Sequence, residues 1–215
     1  MDDLMLAPKD KQANVKIILT KIESDKQKVR EAILMQKGRD KKLYRYTAPE
    51  SQAGIASLSL PDNVTWLYMP AFGKPTKISL LAKSQAFTGT DFSYEDMDSR
   101  PFAERFTPKL LPSDDPNIYR LELIPKSDKS KYSKVILSLN KENYYPEKLE
   151  YFDTKGRKFK EAVYDYKKSG KYWYAAKVKM TDLKKEHSTE IIMTDVKFDQ
   201  GIPDDVFTVE NLKQK

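Results

Sequence analysis

The chain has 215 residues, no cysteine, 39% apolar and 33% charged residues, and a formal charge of +7. That length is enough to bury a sizeable core, and a β-rich chain of this size forms one domain, expected here over residues 1–215. The missing cysteine excludes disulfides, thiolate metal sites and a Cys nucleophile, and no run approaches the ~18 apolar residues that cross a bilayer.

The positive charge is not gathered into a patch. Residues 1–100 hold 16 Lys and Arg against 13 Asp and Glu, and residues 101–215 hold 23 against 19. A nucleic-acid binder concentrates its basic residues on one arm or face, so no nucleic-acid partner is expected. The opening MDDLMLAPKD has no basic segment followed by an apolar one. It suits either a cytoplasmic protein or the mature part of an exported one, with or without a lipid-bearing N-terminal Cys ahead of it.

Asp10 to Glu23 predicts the one long helix, because Val15, Ile18, Leu19 and Ile22 recur at helical spacing. From Lys28 the period changes to two. Val29, Glu31, Ile33 and Met35 alternate with their neighbours, Lys37 to Asp40 is a turn, and Lys42 to Thr47 returns as a strand that Pro49 ends. Ile55 to Leu60 and Thr65 to Met69 form a further pair around Pro61-Asp62-Asn63.

The strand Thr65-Trp66-Leu67-Tyr68-Met69 is apolar on both faces, as are Ile118 to Ile124 and Val135 to Leu139. Such strands must be covered on both sides. Curvature, an inserted loop, a ligand or a closed barrel with a packed interior each meet that demand.

Ser84 to Met97, SQAFTGTDFSYEDM, interrupts the strand pattern with small residues around Phe87, Phe92 and Tyr94. Asp91 is placed to cap a short helix carrying Ser93, Tyr94, Glu95 and Asp96 in its first turn. The segment is a surface crossover or a flap over an apolar cavity. In the second reading Trp66, Tyr68, Phe72, Phe87, Phe92, Tyr94 and Met97 line the cavity and its flap.

The second half is an antiparallel meander over residues 117–198, its short turns at Asp153-Thr154-Lys155-Gly156 and Lys168-Ser169-Gly170 making neighbours of consecutive strands. Tyr172, Tyr174, Ala176, Val178 and Met180 are expected on one face, with Lys177 and Lys179 on the wet one. Gly201 to Phe207 predicts a helical turn that tucks in Val206 and Phe207 before a last short strand. The one histidine, His187, sits in a charged hairpin connection and suits a solvated role, since Ser188 beside it in a strand faces the other way. Neither a calcium loop nor a phosphate loop is present in the spacing, and no catalytic residue, metal or cofactor is expected.

The TWLYMP strand, the FTGTDFSYEDM segment, the YYPEKLEYFDTKGRKFK hairpin and the IPDDVF close together resemble the bacterial outer-membrane lipoprotein-sorting (LolA-like) family, over about Val29 to Leu212. The resemblance implies a mainly β (α+β) fold: a strongly curved antiparallel sheet forming an unclosed half-barrel, with helices capping its concave face. It implies a non-enzymatic, monomeric periplasmic carrier, free or lipid-anchored, that holds lipid or lipoprotein acyl chains and works with an inner-membrane transporter. The alternative within the same fold is an envelope sensor that binds a protein partner. Arg45, between Tyr44 and Tyr46, is an available strand arginine for the functional arginine of the family.

Overall fold

A computed structural model of the chain describes residues 1–5, 7–79, 85–98 and 100–214. Thirteen strands form one antiparallel sheet. They are β1 (Asp10–Lys21), β2 (Lys26–Lys37), β3 (Lys41–Ala48), β4 (Ala56–Leu60), β5 (Val64–Tyr68), β6 (Thr76–Lys77), β7 (Phe106–Leu111), β8 (Ile118–Pro125), β9 (Lys134–Asn140), β10 (Pro146–Phe152), β11 (Lys158–Ser169), β12 (Tyr172–Asp182) and β13 (His187–Phe198).

The spatial order runs β6-β5-β4-β3-β2-β1-β13-β12-β11-β10-β9-β8-β7. Two meanders therefore meet at a central seam where β1 pairs with β13, Lys21 opposite His187 and Lys11 opposite Phe198. Edge strands β6 and β7 do not pair with each other, so the curved sheet is an unclosed half-barrel. Between them in sequence, the described residues 85–98 and 100–105 place Phe87, Phe92, Tyr94, Met97 and Phe102 against the larger apolar cluster. Tight turns set the pairing. At the β4–β5 connection Asp62 and Asn63 take φ of 59° and 60°, a left-handed conformation that Asp and Asn tolerate better than most residues.

The helix expected over Asp10 to Glu23 is instead β1, followed by a single 3₁₀ turn at Ile22–Ser24. The residues fit both periods. Burial follows the period of two: Ala13, Val15, Ile17 and Leu19 are buried, whereas Ile22 is 50% exposed. β-Branched Val15, Ile17, Ile18 and Thr20 favour the extended chain, and β1 finds a partner along both edges. True helices are short: α1 (Asp2–Met5) and α2 (Phe102–Arg105) have four residues each.

Two apolar clusters flank the sheet. The larger fills the concave side with Val15, Ile17, Leu34, Tyr44, Tyr46, Val135, Leu137, Leu149, Tyr151, Met180 and Ile191, among others. The smaller lies on the convex side of β3 to β5, where Leu43, Ala56 and Leu58 are covered by Ile202, Phe207 and Leu212. The C-terminal chain therefore supplies the second cover that a strand apolar on both faces requires. Phe207 is buried at the end of the 3₁₀ turn Asp204–Phe207, and a second 3₁₀ turn, Glu210–Lys213, stands where a last strand was expected. Two polar anchors hold this wrap. The buried Asp10 carboxylate accepts the backbone N–H groups of Gln200, Gly201 and Ile202 at 2.8–3.1 Å. The Arg45 guanidinium donates to the carbonyls of Asn211 at 2.6 Å, Leu212 at 3.3 Å and Gln214. Arg45 thus serves the convex wrap and faces away from the concavity.

One expected face is broken. The β11–β12 register slips between Asp165 and Tyr166: Asp165 pairs with Lys177 but Tyr166 with Ala175. This bulge at Ala176 reverses the alternation. Ala175 packs with Val178 and Met180 on the concave core, while Tyr172 and Tyr174 turn to Phe198.

Candidate functional site

The segment that crosses the concave side is positioned by its own backbone and by contacts to both meanders. Ser84 lies outside the described residues. From Gln85 onward the chain doubles back: Ala86 bridges Ser93, Phe87 N–H donates to Phe92 O at 2.7 Å and Tyr94 N–H to Gln85 O at 3.2 Å. A 3₁₀ turn at Phe87–Gly89 forms the tip, with Thr88 and Gly89 both at positive φ. Phe87, Phe92 and Tyr94 are 3%, 5% and 9% exposed. Phe87 meets Tyr94 and Tyr44 edge-on at centroid distances of 5.3 and 5.7 Å, a favourable aromatic geometry.

Polar contacts then tie the segment down at four places. The Arg30 guanidinium donates to Thr88 O at 2.6 Å, and Tyr46 Oη lies 2.5 Å from Thr88 Oγ1. Asp91 Oδ2 accepts Thr189 Oγ1 and meets His187 Nδ1, each at 2.6 Å. Lys42 Nζ donates to Met97 O at 2.7 Å. The innermost anchor is Lys160, whose Nζ reaches Asp96 Oδ2 at 2.5 Å and Tyr132 Oη at 2.6 Å, while Tyr132 donates to Asp96 Oδ1 at 2.7 Å. The side chains of both Lys160 and Asp96 are 2% exposed. Burial alone pushes the Asp96 carboxyl up, but the Lys160 charge and hydrogen bonds from Lys160, Tyr132 and Ser93 outweigh it and hold the group below the usual carboxylate range.

Two of these contacts correct the reading of the sequence. No helix follows Asp91; it bonds across to β13, and Asp96 accepts from Ser93 N–H and Oγ–H within a tight turn. His187 is the first residue of β13 and is paired with Asp91 rather than solvated, because the flap lies directly over the concave end of that strand. Arg30, Lys160 and His187 carried no signal in the sequence, since their partners lie 58 to 96 residues away.

Among the described residues, two clefts lie between flap and sheet. One, of about 540 Å³, opens beside the ends of β3 to β5 and is lined by Tyr44, Phe87, Tyr94 and Met97, with Arg39, Asp98 and Arg100 around its mouth. The other, of about 250 Å³, lies over β10 to β13, lined by Phe92, Met97, Phe102, Tyr151, Val178 and Met193 among others. Phe87, Phe92, Tyr94 and Met97 therefore line the concavity together. Trp66, Tyr68 and Phe72 line neither cleft. Trp66 and Tyr68 alternate with Leu67 and pack on the convex cluster, and Phe72 sits in a 3₁₀ turn at 70% exposure. A strand apolar on both faces gives no sign of which face turns inward, and this one turns Leu67 and Met69 to the concave core.

Comparison with known proteins agrees with this architecture. Residues 38–214 match a family model whose description reads "Uncharacterized protein". A domain from Vibrio parahaemolyticus named as an outer membrane lipoprotein-sorting protein is 31% identical, with 95% of this chain and 92% of that one covered and a TM-score of 0.88. A LolA superfamily protein from Nitrosomonas europaea is 25% identical over 96% and 93% of the two chains, TM-score 0.78. A DUF1329 family protein from Desulfovibrio piger shares the fold at 21% identity, 98% and 94% coverage and a TM-score of 0.87. No curated protein sequence matches. With its half-barrel, its crossing segment and these likenesses over nearly its whole length, the chain belongs to the LolA-like family of outer membrane lipoprotein-sorting proteins.

Proposed function

We propose that the protein is a non-enzymatic carrier that takes acyl chains of lipids or lipoproteins into the concavity between its sheet and its flap. In this reading it works as a monomer in the periplasm, receives cargo from an inner-membrane transporter and moves it towards the outer membrane. The observation that carries the proposal is the concave face itself. It is lined by aromatic and aliphatic side chains, and the segment that covers it rests on that face without pairing into the sheet.

The physics suits such cargo. Enclosing an acyl chain gives about 0.8 kcal/mol per CH₂ group with no polar contact needed. The inner cleft, about 250 Å³, is smaller than the ~300–1,000 Å³ of ordinary ligand pockets. Full entry of a chain into it therefore requires Phe92 and Met97, which line it, to move outward. The test is equilibrium binding of a fluorescent fatty-acyl probe. Saturable binding is expected, weakened in the Phe87→Ser/Phe92→Ser variant while the circular dichroism of the sheet persists. Absence of saturable binding to the wild-type protein refutes the carrier reading.

A further inference from the structure

The inner cleft is largely apolar, yet four cations face it, and with Arg100 paired to Asp98 three remain. Lys11 projects from the concave side of β1, Lys42 from the end of β3, and Arg105 from the end of α2. Among the described residues none of the three has a carboxylate partner, and Lys11 Nζ has no hydrogen-bond acceptor. Lys42 reaches only Met97 O and Arg105 Nη1 only Glu95 O, at 3.3 Å. Among the described residues the buried Arg105 Nε–H has nothing to bond, and neither has the buried Tyr44 hydroxyl, which lines the same cleft.

The acids around the cleft are already committed. Asp96 is held by Lys160, Asp98 by Arg100 in a two-pronged pair, Glu95 by the Ser130 hydroxyl, and Asp2 by the N–H groups of Phe102 and Ala103. Three like charges and two orphaned donors in one apolar cleft are costly unless something negative joins them, because buried polar groups are otherwise bonded.

We propose that this cleft takes the oxyanion end of an acyl amphiphile, a carboxylate or phosphate, on Lys11, Lys42 and Arg105 with the Tyr44 hydroxyl as a further donor. The proposal rests on the acyl-carrier reading and narrows it: the chain lies along the aromatic concave face and the charged end sits inside. The state of the lysines agrees. Desolvation lowers Lys11 to about 8, and desolvation with the charges of Lys11 and Arg105 lowers Lys42 to about 8 against the pull of Asp98. An oxyanion beside them raises both again. Among the other groups facing the cleft, burial raises the Glu95 carboxyl against the hydrogen bond from Ser130. Burial pushes Tyr44, Tyr132, Tyr151 and Tyr164 upward, hydrogen bonds and charge hold Asp96 and Asp98 low against the opposing pull of burial, and Arg100 is raised by Asp98.

The test is calorimetric titration of the full chain with dodecanoate and with dodecanol, in two buffers of different ionisation enthalpy at pH 8. Dodecanoate is expected to bind roughly tenfold more tightly than dodecanol, the worth of one charge-assisted contact, and to take up protons where dodecanol does not. In Lys11→Gln/Lys42→Gln that preference should fall to about onefold with dodecanol binding unchanged. Equal binding of the two by the wild-type protein, without proton uptake, overturns the anion site and leaves the carrier reading standing. If neither binds, both fall, and titration with inorganic phosphate and acetate then shows whether the cations serve a free anion. Should the double variant not fold, the proton uptake of the wild-type protein decides alone.

Discussion

Replacing Lys160 by Met tests whether the buried ion pair is what holds the flap. Removing one partner of a buried pair costs about 3–5 kcal/mol, because the other charge stays behind unpaired. Here Asp96 keeps three donors, the Tyr132 hydroxyl and the N–H and O–H of Ser93. The lower end of the range, about 3 kcal/mol, is therefore expected. At about 1.4 kcal/mol per factor of ten, that raises the open population of the flap by roughly two orders of magnitude. Native-state hydrogen exchange reads this directly. The amides of Thr90, Tyr94, Asp96 and Met97, each bonded within the flap, should exchange roughly a hundredfold faster, and those of β12 should not change. Adding Asp96→Asn to the variant removes the stranded charge and should restore most of the loss, giving a coupling energy from the double-mutant cycle. A cost below about 1 kcal/mol for Lys160→Met, or equal acceleration in flap and β12, refutes the assignment.

Acid should act in the same place. The Asp96 carboxyl is depressed in the folded protein, so its stabilisation is fully present above the ordinary aspartate value of 3.8 and is lost as pH falls below it; urea midpoints between pH 5 and 2 should fall less steeply in Asp96→Asn. Arg45→Ala removes the donor to three C-terminal carbonyls and should cost about 1–3 kcal/mol, with a red shift of Trp66 fluorescence measured in a Trp173→Phe background. Phe87→Ala should cost about 3–5 kcal/mol by chemical denaturation, whereas Phe72→Ala, at an exposed position, should stay within about 0.5 kcal/mol.

Much of the sheet was legible because a hairpin is a local statement: a run with period two, a turn residue, another such run. Most strands from β2 to β4 and from β10 to β13 announce themselves this way, whereas β5, β8 and β9, apolar on both faces, are marked by composition and bounding turns. β1 did not, since Ile18 and Ile22 add a helical period to the alternation of Val15, Ile17 and Leu19, and only its two neighbours settle the conflict. Phe87, Phe92 and Tyr94 stood out as large apolar residues where the strand pattern lapses. Trp66 and Tyr68 pack on the convex cluster, a side that their strand, apolar throughout, does not reveal. The cations of the concavity and the Lys160–Asp96 pair depend on which distant strands the sheet brings together, and no spacing in the sequence encodes that.

The seam at the centre of the sheet has a consequence for how the chain reaches its fold. Each meander is built from near neighbours and can form early, as low-contact-order units do. The pairing of β1 with β13 joins residues roughly 180 positions apart, and closing so long a loop is slow. Until β13 arrives, β1 presents an unpaired edge beside a row of Ala13, Val15, Ile17 and Leu19. A bare edge of that composition invites pairing with another molecule. The chain is thus most vulnerable to self-association just before completion, and a version cut before His187 would keep that edge open for good.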